Sequence, residues 1–211
     1  MSALIIGSGS DISRDMLEPE KLNIEYVICA DGGLEKVENL QLIPNSIIGD
    51  LDSVDDIVLK KYLDMNIELK KYSAEKNYTD MELAIEYAIK KGFNDIILIG
   101  ATGLRLDHTV ANIMLIERYY KKGIHIKVID NNNCIQIVTN NMEINNKRNY
   151  FVSIVPITDS IEGISLMGFK YPLDSVDVKR GSTLCISNQI TSEKGNILLD
   201  KGAALVFISK D

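Results

Sequence analysis

The 211-residue chain has no tryptophan, four prolines, two histidines and three cysteines. Two histidines, His108 and His125, leave no HExxH helix and no histidine-based zinc cluster, so any metal has to be held by oxygen. The cysteines, Cys29, Cys134 and Cys185, are odd in number, far apart and set among apolar neighbours. That pattern reads as buried reduced thiols rather than disulfides, and it points to the cytoplasm. No apolar run approaches the roughly 20 residues of a membrane span, and no basic residue precedes the short apolar run at the amino terminus, so neither a membrane segment nor a signal peptide is expected. Basic residues are outnumbered, 23 Lys+Arg against 30 Asp+Glu, for a net charge of −7. This is the wrong sign for a protein that binds by neutralising nucleic-acid phosphates. It suits solubility, or carboxylates gathered around a cation.

What is present is an apolar content of 45%, enough for a real core. Short apolar runs at residues 3–6, 26–30, 46–48, 96–99 and 124–129 alternate with helical periodicity. Residues 77–92 place Met81, Ile85, Ala88 and Ile89 on one face, with Gly92 as a stop. Residues 107–123 place Val110, Ile113 and Met114 in the same way. Strand and helix alternation with near-continuous apolar strands predicts an α/β domain, a mostly parallel sheet with flanking helices, over residues 1–130. From residue 131 the character changes. Eight asparagines occupy residues 131–149, with one apolar insert at 134–138. Only strand-like pieces follow, at 150–155, 161–167, 183–187, 197–199 and 203–208, separated by glycine turns. Residues 131–211 are therefore expected to form an all-β sandwich or barrel.

Several polar motifs fall at strand exits, the edge where ligands bind in open α/β sheets. Gly7-Ser8-Gly9-Ser10-Asp11-Ile12 follows the first strand but breaks the G-x-G-x-x-G fingerprint at Ile12. It fits a phosphate-holding turn and a plain tight turn equally. No G-x-x-x-x-G-K-[ST] sequence occurs. Asp31, Gly32 and Gly33 end the second run; the glycines permit close approach of a ligand, and Asp31 suits either that ligand or a helix cap. In Gly49-Asp50-Leu51-Asp52-Ser53 two carboxylates at i and i+2 share one side of an extended chain, a geometry for a hard divalent cation, with Ser53 as a candidate helix cap. Thr79 and Glu82 form a capping box, and Asp80 between them can be a third strand-exit carboxylate, with Lys76 nearby to offset phosphate charge. The densest group is Gly100-Ala101-Thr102-Gly103-Leu104-Arg105-Leu106-Asp107-His108. Arg105 offers a fork of donors to phosphate, and Asp107 suits a helix cap or a substrate contact.

Taken in order, Ala30-Asp31-Gly32-Gly33, Gly49-Asp50-Leu51-Asp52-Ser53, Thr79-Asp80-Met81-Glu82, the 100–108 series with Ala111-Asn112, and Ser187-Asn188 resemble the signature series of the thiamine pyrophosphokinase family. The resemblance implies an amino-terminal catalytic, ATP-binding domain, a carboxyl-terminal sandwich that helps bind thiamine, and a homodimer with sites between subunits. It implies Mg²⁺-dependent transfer of pyrophosphate from ATP to the thiamine hydroxyl, with Asp50, Asp52 and Asp80 as metal and catalytic residues. Asp31, Gly32, Gly33, Lys76, Thr79, Arg105, Asp107, His108, Asn112, Ser187 and Asn188 would contact ATP or thiamine. One of the metal-site aspartates or Asp107 would accept the hydroxyl proton. The chain departs from the family pattern at Asn77 and Gln189, where acidic residues are usual, and lacks the tryptophan that stacks on thiamine in some eukaryotic members. Two rivals compete: an aspartyl-phosphate phosphatase using Asp50-Leu51-Asp52, which requires a covalent intermediate, and a non-catalytic nucleotide or thiamine sensor, which gains little from three carboxylates.

Overall fold

The structure, a computed structural model, describes residues 1–17, 22–52, 54–65, 67–73 and 77–211. The chain divides into two compact units, Met1–Asn131 and Asn132–Asp211.

In the first unit six strands pair in parallel: β1 (Ser2–Ile6), β2 (Ile24–Ala30), β3 (Ser46–Gly49), β4 (Glu68–Lys71), β5 (Asp95–Ile99) and β6 (His125–Ile129). Their order is β4-β3-β2-β1-β5-β6. The central strands are buried on both faces, as continuous apolar runs require: residues 3–6 of β1 and 96–99 of β5 are all buried. β4 reads Glu-Leu-Lys-Lys and carries no apolar run; it lies at the sheet edge against β3, where one side of the strand is unpaired and charge is favoured.

The helices named among the described residues are α1 (Arg14–Leu17), α2 (Asp56–Asp64), α3 (Asp80–Lys90) and α4 (Leu106–Tyr120). A 3₁₀ segment, Asp31–Lys36, follows β2. α2 is capped by Asp55, whose carboxylate accepts from the N–H groups of Ile57 and Val58; Ser53, expected as a cap, lies outside the described residues. α3 forms as its periodicity predicts. Thr79 caps it through Glu82 N–H at 3.2 Å, and Met81, Ala84, Ile85, Tyr87 and Ala88 are buried. Full burial of Ile85 alone contributes about 1.5–3 kcal/mol. The second partner of the expected capping box goes elsewhere, since Glu82 forms an ion pair with Arg118 at 2.8 Å.

α4 turns a different face inward from the one predicted. Asn112, Leu115, Ile116 and Tyr119 are buried, whereas Val110 and Met114 are 56% and 46% exposed. Both stripes have helical spacing, and periodicity alone does not say which one meets the sheet.

The second unit contains β7 (Asn133–Val138), β8 (Asn141–Asn145), β9 (Phe151–Pro156), β10 (Ser160–Met167), β11 (Leu173–Lys179), β12 (Lys194–Leu198) and β13 (Ala204–Ser209). β13 pairs antiparallel with β7 and β9, and the order β11-β10-β12-β8 makes a second antiparallel sheet. Side chains of both sheets, among them Ile154, Val206, Ile161, Ile164 and Ile197, share one core, which makes the unit a sandwich. The expected strand at 183–187 is instead a run of turns, because Cys185 is buried there by a local fold-back, its carbonyl accepting from Ile154 N–H. β8 and β11 were not legible as strands: Asn-Met-Glu-Ile-Asn and Leu-Asp-Ser-Val-Asp-Val-Lys alternate polar and apolar on half-exposed faces inside polar surroundings.

Gly33 shows the packing cost of a side chain at a sheet edge. A Cβ there would lie 1.9 Å from the carbonyl oxygen of Ile6, so β1 occupies the space that the sequence reserved for a ligand. Gly33→Ala is expected to destabilise by about 2 kcal/mol and to lower the thermal midpoint by about 5–10 °C. A melt monitored by circular dichroism that gave an unchanged midpoint would contradict this packing.

Candidate active site

Strand order reverses at β1, whose neighbours β2 and β5 lead the chain to opposite sides, and a crevice opens at the carboxyl ends of these strands. A cavity of about 650 Å³ lies there. Its walls are residues 7–11 after β1, Ala30 and Asp31 at the end of β2, residues 79–81 at the start of α3, and residues 100–105 with His108, Thr109 and Asn112 around the start of α4. Asp31, Thr79, Asp80, Arg105, His108 and Asn112 are thus brought together.

The floor consists of two interlocked loops. Gly7, Gly9 and Ser10 donate their N–H groups to the carbonyls of Ile99, Gly100 and Thr102 at 2.8, 2.8 and 2.7 Å. These three donors are therefore spent within the protein and do not cradle phosphate, which decides the reading of the broken fingerprint in favour of structure. Only glycine fits. A Cβ on Gly9 would come within 2.2 Å of the Thr102 carbonyl oxygen, and one on Gly100, whose φ is +60°, within 2.2 Å of the Gly7 carbonyl oxygen.

Side chains then hold the second loop to its surroundings. Asn112, 8% exposed, donates to the Ala101 carbonyl at 2.7 Å, and Thr109 accepts from Gly103 N–H at 3.1 Å. Thr102 donates to Asp130 at 3.0 Å. Thr109 was not singled out in the sequence; its place one turn into a helix that follows a glycine loop is the signal that could have found it.

Arg105 and Asp107 face each other rather than the helix backbone. The guanidinium meets the carboxylate at 2.6 and 3.3 Å, and the N-cap position, Arg105, makes no side-chain cap bond. The Arg105 hydrogen bond, aided by the His108 N–H, holds Asp107 below the usual carboxylate range, and Asp107 in turn raises Arg105. A depressed carboxylate contributes its pairing above its ordinary pKa and loses it as pH falls through the lowered value, so this pair persists at neutral pH. Both side chains are largely exposed, so the pair adds little stability.

The carboxylates after β2 and β3 are arranged by unusual backbone. Asp31 and Leu51 have φ of +49° and +64°. Left-handed non-glycine residues cost about 1 kcal/mol or more, and they mark functional turns. The extended geometry expected at Asp50-Leu51-Asp52 is therefore not adopted: Leu51 is buried, Asp52 is exposed, and Asp52 N–H turns back toward Asp50 Oδ1 at 3.4 Å. Gly49 lies against Asp31, since a Cβ there would be 3.3 Å from the Asp31 Cα and Cβ. Asp31 also sits at the start of the 3₁₀ segment without capping it, the N-cap being Ala30. Among the described residues no three His, Cys, Asp or Glu side chains are gathered into a metal site. Mg²⁺ takes one or two carboxylates and completes its shell with phosphate and water; Asp11, Asp31 and Asp80 line the cavity and are oxygen donors of that kind. Lys76 lies outside the described residues.

In the second unit Ser187 is exposed, with φ of +57° and its N–H bonded to Ser153 Oγ at 2.9 Å. Asn188 is 4% exposed. Its amide donates to the Tyr171 carbonyl at 2.7 Å, while its oxygen accepts from the N–H groups of Tyr171 and Gln189 at 3.1 and 2.9 Å. Asn188 thus holds Tyr171, a residue 59% exposed. Sequence reading passed over Tyr171, because an aromatic residue in a β-rich segment reads first as core.

A family model described as "Thiamin pyrophosphokinase, catalytic domain" matches residues 19–128, and one described as "Thiamin pyrophosphokinase, vitamin B1 binding domain" matches residues 139–203. Thiamine pyrophosphokinase of Bacillus subtilis (strain 168) is 34% identical over 186 residues, 87% of each chain. The crystal structure of thiamine pyrophosphokinase from Bacillus subtilis matches at a TM-score of 0.88 and 28% identity over all of both chains. Thiamin pyrophosphokinase from Candida albicans shares the fold, with a TM-score of 0.82 at 18% identity over all of this chain and 89% of that one. Matched in both units by family models and over most of its length by a relative of this identity, the chain belongs to the thiamin pyrophosphokinase family.

Proposed function

We propose that the cavity at the exits of β1, β2 and β5 binds ATP, that the second unit contributes to thiamine binding, and that the reaction proceeds there by direct in-line transfer. A thiamine pyrophosphokinase is a transferase that moves pyrophosphate from ATP to the hydroxyl of thiamine, giving thiamine diphosphate and AMP. The observation that carries the reading is the cavity, which joins a glycine floor, Asp31, Asp80 and Arg105 at one sheet edge.

The thiamine oxygen attacks the β-phosphorus, the bond from that phosphorus to the α-bridging oxygen breaks, and AMP leaves. Such transfer asks the protein for alignment and charge compensation rather than covalent participation. Asp50, Asp52 and Asp80 are the carboxylates that would hold Mg²⁺. Bound with ATP, the ion supplies neutralisation of charge on the phosphate oxygens. Arg105 adds positive charge at this edge, and Lys76 is assigned the same part in offsetting phosphate charge. One of the strand-exit aspartates or Asp107 would accept the hydroxyl proton. Asp31, Gly32, Gly33, Thr79, His108 and Asn112 shape the nucleotide and thiamine pockets, Gly33 through packing and Asn112 through the loop it holds.

On the second unit, Asn188 supports Tyr171, and the exposed Tyr171 is the aromatic platform for the aminopyrimidine in a chain without tryptophan, with Ser187 at the lip of the pocket. A homodimer is part of the same reading. Leu106, Val110 and Met114, at i, i+4 and i+8 of α4, are 73%, 56% and 46% exposed and continue the fully exposed Leu104 at the cavity wall. An apolar stripe of that kind is suited to burial against a second copy. A cytoplasmic location accords with three cysteines that are thiols rather than disulfides, Cys29 being pushed up in pKa by burial.

Asp50→Asn is expected to lower AMP formation from ATP, Mg²⁺ and thiamine by at least about 100-fold, within the range of a lost transition-state charge contact; separation of AMP from ADP by anion exchange is the readout, and parental turnover would remove Asp50 from the mechanism. Tyr171→Ala should raise the thiamine KM about tenfold, the worth of one stacking contact, with the ATP KM unchanged; steady-state kinetics showing the reverse order would shift the thiamine contact elsewhere. Val110→Glu should convert a dimer to monomers, read by light scattering, and a variant that stays dimeric would exclude the α4 stripe as the interface.

A further inference from the structure

Lys36 belongs to none of the motifs, yet its side chain is only 13% exposed and is directed at the cavity wall. It ends the 3₁₀ segment after β2. A lysine at a surface edge ordinarily extends its ammonium into water. Here the ammonium donates to the carbonyl of Gly9 and lies 3.3 Å from Oδ1 of Asp11. Asp11 is 83% exposed, so that ion pair contributes little, and the Gly9 carbonyl is the partner that offsets the desolvation of the charge. Both Gly9 and Asp11 line the cavity.

The same loop is held at its far end by Asn131. Its oxygen accepts from Ser13 N–H at 2.7 Å, and its amide donates to the Asp11 carbonyl at 3.1 Å. Residues 9–13 are therefore pinned in three ways: by the backbone bonds to Gly100 and Thr102, by Asn131, and by Lys36. Of these only Lys36 brings a charge.

We propose that Lys36 is a positioning residue for the nucleotide: through the Gly9 carbonyl it sets the wall formed by residues 9–11, and its ammonium behind that wall favours a polyphosphate in the cavity. The proposal rests on the reading of the cavity as the ATP site. Residues on the thiamine-binding unit take no part in it, so its effect is confined to one substrate.

Lys36→Met keeps the length and apolar body of the side chain and removes the donor and the charge. Its ATP KM is expected to rise about tenfold, the loss of one charge-assisted hydrogen bond, with the thiamine KM and kcat within about twofold of the parent. Lys36→Arg should restore most of the ATP KM. If Lys36→Met melts below the assay temperature, parent and variant are compared at a temperature below its midpoint against the same expectation. An ATP KM within about twofold of the parent, or equal changes in both KM values without rescue by arginine, would overturn the role of Lys36 while leaving an active enzyme. A parent protein that forms no AMP from ATP and thiamine would overturn the ATP reading itself, and the proposal with it.

Discussion

The site depends on the backbone contact between the loops that leave β1 and β5. Three N–H to carbonyl bonds join them, and Gly7, Gly9 and Gly100 are glycine because each would otherwise drive a Cβ into the other loop. Once these loops are locked, the crevice between the exits of β1, β2 and β5 has a rigid floor. The start of α4 is then tied to that floor by Asn112 and Thr109. A catalytic arrangement that works by alignment needs a floor of this kind, because small displacements of a reacting group are costly.

Charge is distributed around the floor in two ways. Acidic groups leave β2 and β3 on left-handed turns at Asp31 and Leu51, a backbone strain that the buried strands preceding them can sustain. Basic groups are held by local partners, Arg105 by Asp107 and Lys36 by Gly9 and Asp11. The exposed Arg105–Asp107 pair is cheap to rearrange, whereas the Lys36 contact is largely out of water. One group can therefore adjust to a ligand while the other keeps the wall in place.

Legibility in the sequence followed burial. Strands buried on both faces, such as β1 and β5, read directly as apolar runs, and α3 read as one apolar face with a threonine cap. Edge and half-exposed elements did not: β4, β8 and β11 are dominated by charged or polar residues, because one side of each strand needs no apolar cover. The α4 helix was found but its inward face was not, since Val110 and Met114 share helical spacing with each other just as Leu115 and Tyr119 do. Among site residues, Asp31, Thr79, Asp80, Arg105, His108 and Asn112 line one cavity, and all but Asn112, in the second turn of α4, follow a strand or open a helix. Lys36, Asn131 and Tyr171 escaped notice, because each acts through a contact to backbone distant in sequence or through exposure.

The amino-acid order by itself determined the alternation of strands and helices, the change to β structure near residue 131 and the family signature, for these are written in local periodicity and in motifs of a few residues. Tertiary structure decided what those motifs do. It showed the Gly7-Ser8-Gly9 turn spending its donors on a neighbouring loop, the aspartates after β3 leaving extended geometry, and Asn188 serving as the support of Tyr171. The reason is that hydrogen-bond partners and left-handed turns are fixed by chain segments up to a hundred residues apart, and no local pattern specifies which carbonyl a given donor will meet.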